Sequence, residues 1–76
     1  MTFKQWLGLQ THRHQSIVGD LARDADQDPR FPNAALVSSY VLYLERRHAS
    51  PWALKALALA WDEWLRGRGN LLRTAA

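Results

Sequence analysis

Cysteine is missing from the 76 residues, which excludes disulfide bonds and any zinc site built on thiolates. Glycine occurs four times and never in a phosphate-cradling run such as GxxxxGK. No apolar stretch approaches the ~20 residues that a membrane-spanning helix requires, and the opening MTFKQWLGLQ lacks the charged and apolar regions of a secretory signal. The expectation is a soluble, cytoplasmic chain with no membrane partner. The net charge of +3 is a mild excess that fits an ordinary surface and demands no polyanionic partner. Eight of the ten basic residues are arginine, a preference that genomic base composition explains as readily as phosphate binding.

A single domain of this size buries a core with difficulty. Without disulfides or thiolate metal sites, dense packing of large side chains is the remaining source of stability. The composition supplies it: 47% of the residues are hydrophobic and 11% aromatic, with four tryptophans. Each large ring can bury roughly 150–250 Å².

Four segments carry helical signals. Thr2 and Gln5 have capping-box spacing, followed by Phe3, Trp6, Leu7 and Gln10 on one side. This helix should stop near Thr11. Ser16 is placed to cap a second helix, IVGDLARDA, whose inner stripe is Val18, Leu21, Ala22 and Ala25. Gly19 within it costs about 1 kcal/mol relative to alanine, so close approach of another helix is expected there. Asn33 is read as the cap of a third helix, AALVSSYVLYLERR, with Leu36, Val37, Tyr40, Val41, Tyr43 and Leu44 facing inward. Ser50-Pro51 opens a fourth, with an inner arc of Ala53, Leu54, Leu57, Ala58, Trp61, Trp64 and Leu65 and an end near Gly67. Residues 1–67 therefore form an all-α bundle, and residues 68–76 a short C-terminal tail expected to fray, with Leu71 and Leu72 touching the bundle.

Between the second and third helices lies RDADQDPRFP, with aspartates at 24, 26 and 28. An EF-hand loop begins this way, but its sixth position must be glycine and its twelfth a bidentate glutamate. Counted from Asp24, those positions hold Pro29 and Ala35, so calcium is not expected. Asp28-Pro29 and Phe31-Pro32 are turn-making, helix-stopping pairs, with Phe31 placed to plug the core.

FKQWL, IVGDLARD, DPRFP, SSYVLYL and LALAWDEWL occur in an order that resembles the YozE-like family, small bacterial proteins with a helical fold like that of the sterile alpha motif (SAM). The resemblance spans roughly residues 3 to 65. It implies a compact four-helix SAM-like bundle with Trp6, Leu21, Phe31, Tyr40, Leu44, Leu57 and Trp61 as core positions. It implies no enzymatic activity, cofactor or binding residue. SAM-like folds host both protein association and nucleic-acid binding, and fold alone does not choose between them.

The residues themselves point away from catalysis. No nucleophile elbow is present, the carboxylates Asp20, Asp24, Asp62 and Glu63 fall on solvated faces, and so small a bundle leaves little room for a pocket of about 300 Å³. His12, His14 and His48 do not form the three- or four-ligand set that zinc requires. No catalytic, cofactor or metal residues are assigned. Two binding readings remain. Leu42, Trp52 and Leu59 are apolar residues among polar neighbours and are candidates for a protein-binding surface. Arg13, Arg46, Arg47, Arg66, Arg68 and Arg73 cluster near helix C-termini, in groups after the first, third and fourth helices, and are candidates for a phosphate-binding patch if the bundle brings two of these groups onto one end. Aspartates near residues 20–28 would form the opposite pole. Protein association is preferred because it requires least beyond the fold; the partner and oligomeric state are left open.

Overall fold

A computed structural model describes the backbone of residues 1–75 and the side chains of residues 1–67. The order is α1 (Phe3–Gly8), α2 (Ile17–Asp26), α3 (Val37–Arg46) and α4 (Pro51–Ala75), an all-helical arrangement in which α4 packs against each of the other three.

The caps at α1 and α2 form as their sequences predict. The Gln5 N–H donates to Thr2 Oγ1 at 3.2 Å, and the Thr2 N–H donates to Gln5 Oε1 at 2.9 Å. Together they satisfy two otherwise orphaned donors. Ser16 Oγ accepts from the Gly19 N–H. At the start of α4, Ser50 Oγ accepts from the Ala53 N–H at 3.3 Å.

The third helix starts later than Asn33 suggests. Its N-cap is Leu36, which makes no side-chain capping bond. The cause is Tyr40, whose hydroxyl accepts from the Ala34 N–H at 2.9 Å and donates to the Ala34 carbonyl at 3.1 Å. Both polar groups of that residue are thus satisfied in an extended segment, with no need for a helical ladder. Leu36, expected inside, is exposed as a result. The helix ends in a Schellman arrangement. His48 takes φ 56°, its N–H donates to Glu45 O, and the Ala49 N–H donates to Leu44 O at 3.0 Å. This cap turns the chain directly into α4.

The core consists of Phe3, Leu7, Val18, Leu21, Ala22, Phe31, Tyr40, Leu44, Ala56, Leu57, Ala60 and Trp64. Its centre is aromatic. Phe3 lies 5.0 Å from Tyr40, 4.9 Å from Trp61 and 5.7 Å from Trp64, ring centre to ring centre. Phe31 plugs the connector side, 5.6 Å from Tyr40. Among the described residues, every buried side-chain nitrogen or oxygen has a hydrogen-bond partner.

Three further expectations change. The inner arc of α4 contains Ala56 and Ala60, while Ala58 and Leu65 are exposed. Alanines occur all around this helix, so hydropathy cannot rank them, whereas small side chains at 56 and 60 allow neighbouring backbone to come close. Gly67 lies inside α4 rather than at its end; it does not adopt positive φ, so it provides no left-handed C-cap. Gly19 does meet a close neighbour, but that neighbour is the backbone carbonyl of Arg13 in the α1–α2 loop rather than another helix. The expected fraying after residue 67, and the contacts of Leu71 and Leu72, lie outside the described side chains.

Candidate functional site

The connector after α2 is organised by one carboxylate. Asp24 and Asp26 are exposed on the last turn of α2, so the three aspartates do not share a loop. Asp28 follows the helix, and the Arg30 N–H donates to its Oδ1 at 3.0 Å, which shapes the turn. Its Oδ2 accepts from the Tyr43 hydroxyl and from Arg47 Nη1, the latter at 2.6 Å. The Arg47 guanidinium also lies over the Tyr43 ring, 5.4 Å from its centre. The Tyr43 hydroxyl is the main cause holding the Asp28 carboxyl below its usual range, assisted by the Arg30 N–H and Arg47 and opposed by partial burial. The same contacts, Tyr43 first, push the Arg47 guanidinium up.

A carboxyl whose folded-state value is depressed stabilises the fold above its unfolded value of 3.8, and that contribution fades as the pH falls below it. Asp28→Asn should therefore lower the melting temperature at pH 7. The difference from wild type should shrink as the pH falls below about 4, toward the depressed value. Melts across that range check this; a difference that stays constant with pH would show that Asp28 is not the titrating group.

Around this hub lies an open cleft of about 540 Å³, with Leu21, Phe31 and Leu44 among its apolar lining and Asp28, Tyr43 and Arg47 among its polar groups. It is larger than so small a bundle was expected to leave. No group of three or more His, Asp or Glu side chains able to hold a metal occurs among the described residues.

The candidate arginines come together only in part: Arg13 and Arg66 lie at one end of α4, Arg46 and Arg47 at the other. Arg47 and Arg46 end α3, immediately before α4. Arg66 lies 15 residues beyond Pro51, which is about 22 Å further along that helix at 1.5 Å per residue. Arg13 joins the Arg66 end: its Nη1 is 3.2 Å from Glu63, one turn before Arg66. The structure thus separates Arg46 and Arg47 from Arg13 and Arg66. Three of these four hold carboxylates, Arg13 with Glu63, Arg47 with Asp28 and Arg66 with Asp62. Of the aspartates expected to form the opposite pole, Asp28 pairs with Arg47 and Asp20 with Arg23, whereas Asp24 and Asp26 are exposed. The side chains of Arg68 and Arg73 lie outside the described residues.

The apolar candidates are all exposed: Leu42 at 52%, Trp52 at 64% and Leu59 at 44%. They occupy two faces. Leu42 is two positions from both Tyr40 and Leu44, the buried residues of α3, so at ~100° per residue it points directly away from the core. Trp52 and Leu59 are seven positions apart on α4 and share its outer face, about 10 Å from each other. Trp52 does not fold back onto the bundle; Lys55 Nζ sits over its ring, 5.4 Å from the centre. The outer face continues with Asp62 and Arg66, which pair at 3.0 Å.

Two cations with structural roles carry no obvious sequence signal. Lys4 Nζ donates to the Phe31 carbonyl at 2.9 Å and ties α1 to the connector. Arg23 Nη1 donates to the carbonyls of Thr11 and Arg13, holding the α1–α2 loop against α2.

With helices of this order and this connector established, comparison with known families is decisive. The family model described as the YozE SAM-like fold matches residues 2–66. The chain belongs to the YozE SAM-like family. No curated protein and no solved structure matches it. The YozE SAM-like match includes Leu42, Trp52 and Leu59 together with Arg13, Arg46, Arg47 and Arg66, and stops before Arg68 and Arg73.

Proposed function

We propose that this YozE SAM-like domain is a non-catalytic binding module of the bacterial cytoplasm that associates with protein through the outer face of α4. The observation that carries this reading is the exposure of Trp52 on the same face as Leu59, two turns away. A tryptophan 64% exposed on the solvated outer face of α4 contributes little to folding that a polar residue would not. It is also among the residue types that dominate binding energy at protein interfaces. Leu42 lies on a separate face and is not required for this contact. Nucleic-acid binding is the alternative; its support is reduced because Arg13 and Arg66, at one end of α4, and Arg47, at the other, are each paired with a carboxylate.

Leu59→Asp should abolish association with protein while shifting stability by no more than about 0.5 kcal/mol, as expected for an exposed position. The check is capture from the lysate of the native host by wild-type and variant chains, with thermal melts alongside. Partners retained equally by both would refute the assignment of this face, and so would unfolding of the variant. Affinity for duplex DNA that is strong at low salt and falls steeply as salt rises would favour the alternative.

A further inference from the structure

Trp52, Lys55, Leu59, Asp62 and Arg66 succeed one another at spacings of 3, 4, 3 and 4 residues, the repeat of a two-helix seam. All five are exposed. Their chemistry is close to self-complementary about Leu59. Trp52 lies seven positions before it and Arg66 seven after; Lys55 lies four before and Asp62 three after.

We propose that the occupant of this face is a second copy of the same chain, with the two α4 helices antiparallel and the two-fold axis beside Leu59. The inference rests on the reading of this face as protein-binding and names the partner. In that register Leu59 meets Leu59 of the second copy. Residues at equal distances on either side of the axis come level, so Arg66 of one copy faces the Trp52 ring of the other. Lys55 faces Asp62 on the same flank of the interface, within one residue of level. An isologous contact of this kind repeats each pair twice.

The isolated chain already satisfies the same four groups internally. Lys55 lies over Trp52, and Arg66 pairs with Asp62 at 3.0 Å. Dimerisation exchanges these for Lys55 with Asp62 and Arg66 with Trp52 across the interface. Each cation keeps a partner, so no charge is stranded when the two leucines close together. A parallel pairing would set Lys55 against Lys55, Asp62 against Asp62 and Arg66 against Arg66, which like-charge repulsion opposes. The charge order therefore selects orientation and register as well as partner. One helix face per copy makes a small interface, and a weak dimer follows.

Sedimentation equilibrium of the full chain tests this. Wild type should pass from monomer to dimer at concentrations on the order of 100 µM to 1 mM. Leu59→Asp should remain monomeric with an unchanged melt. Lys55→Glu and Asp62→Lys should each weaken the dimer by about tenfold or more, since each sets two like charges against each other. An equimolar mixture of these two variants should recover wild-type association. In the mixed dimer the introduced carboxylate faces the introduced ammonium, and the retained Lys55 of one chain faces the retained Asp62 of the other. The single variants and the mixture together read the register: in a parallel pair each single change would only replace one like-charged pair by another and weaken nothing, and the mixture would associate more tightly than wild type. A wild-type chain that stays monomeric throughout overturns the inference, as does a dimer indifferent to Leu59→Asp or a mixture that fails to recover. If wild type is monomeric yet captures a different protein through Leu59, the self-association is wrong and the protein-binding face stands. If it does neither, both fail.

Discussion

Phe3→Ala should unfold this domain or leave it barely folded at about 25 °C. Phe3 is 1% exposed and its ring touches four others, those of Trp6, Tyr40, Trp61 and Trp64. Truncation of a buried phenylalanine costs about 3–5 kcal/mol, from the lost transfer energy and from the cavity left behind. The total stability expected for 76 residues is only roughly 4–11 kcal/mol. The position also joins α1 to α3 and α4, so a cavity there faces three elements and cannot close by the shift of one. Phe3→Leu should retain a cooperative melt at reduced temperature. Trp52→Ala, which removes a larger but exposed ring, should change stability by less than about 0.5 kcal/mol. Thermal melts by circular dichroism, with the near-ultraviolet signal reporting ring packing, check the series. Equal losses for Phe3→Ala and Trp52→Ala would mean that the aromatic centre is not what stabilises the fold.

Gly19→Ala should destabilise by about 3 kcal/mol, although helix propensity alone predicts a gain of about 1 kcal/mol. A methyl at residue 19 would lie 1.8 Å from the Arg13 carbonyl oxygen and 2.8 Å from its carbon. Both are backbone atoms, so no side-chain rotation relieves the clash. Nor can the loop move freely: the same carbonyl accepts from Arg23 at 3.2 Å, the Thr11 carbonyl accepts from Arg23 at 2.9 Å, and the Arg13 side chain is paired with Glu63. For a domain of this size the melting temperature should fall by roughly 12–24 °C. Gly67→Ala is the internal control. It also sits in a helix, but a methyl there has no neighbour within 4 Å, so the propensity gain should appear as a small rise in stability. A Gly19→Ala variant that melts at or above the wild-type temperature would show that the α1–α2 loop does not hold its position against α2.

Features governed by near neighbours agree between sequence and structure. Thr2 with Gln5, Ser16 and Ser50 act as caps because capping depends on groups three residues apart, which sequence displays directly. Phe31 between two prolines is buried as expected, since the prolines force a turn and a large ring beside it has only the core to enter. The differences arise where a distant group intervenes. Asn33 loses its capping role to a hydroxyl on Tyr40, seven residues on. The arc of α4 is rotated from its expected position because alanine carries almost no directional signal.

The candidate site divides in the same way. That Leu42, Trp52 and Leu59 would be exposed is legible in the sequence, because each stands among polar residues at helical spacing. That Trp52 and Leu59 share a face also follows from their seven-residue spacing on one helix, whereas where Leu42 lies relative to them depends on how α3 turns into α4. Arg47 reads as a free cation at a helix end, but its partner Asp28 lies 19 residues earlier, brought beside it by the extended connector.

By itself the sequence determined the four helices, most of their caps, the aromatic interior and the family, all of which follow from side-chain type and from spacings within a few residues. The i,i+4 pairing of Arg66 with Asp62 is also legible in the sequence, but only the tertiary structure decided that Arg13 pairs with Glu63 and Arg47 with Asp28, which ends of α4 these arginines adjoin, and which glycine is essential. Those outcomes depend on atoms far apart in the chain meeting at contact distance, and local periodicity carries no information about such meetings.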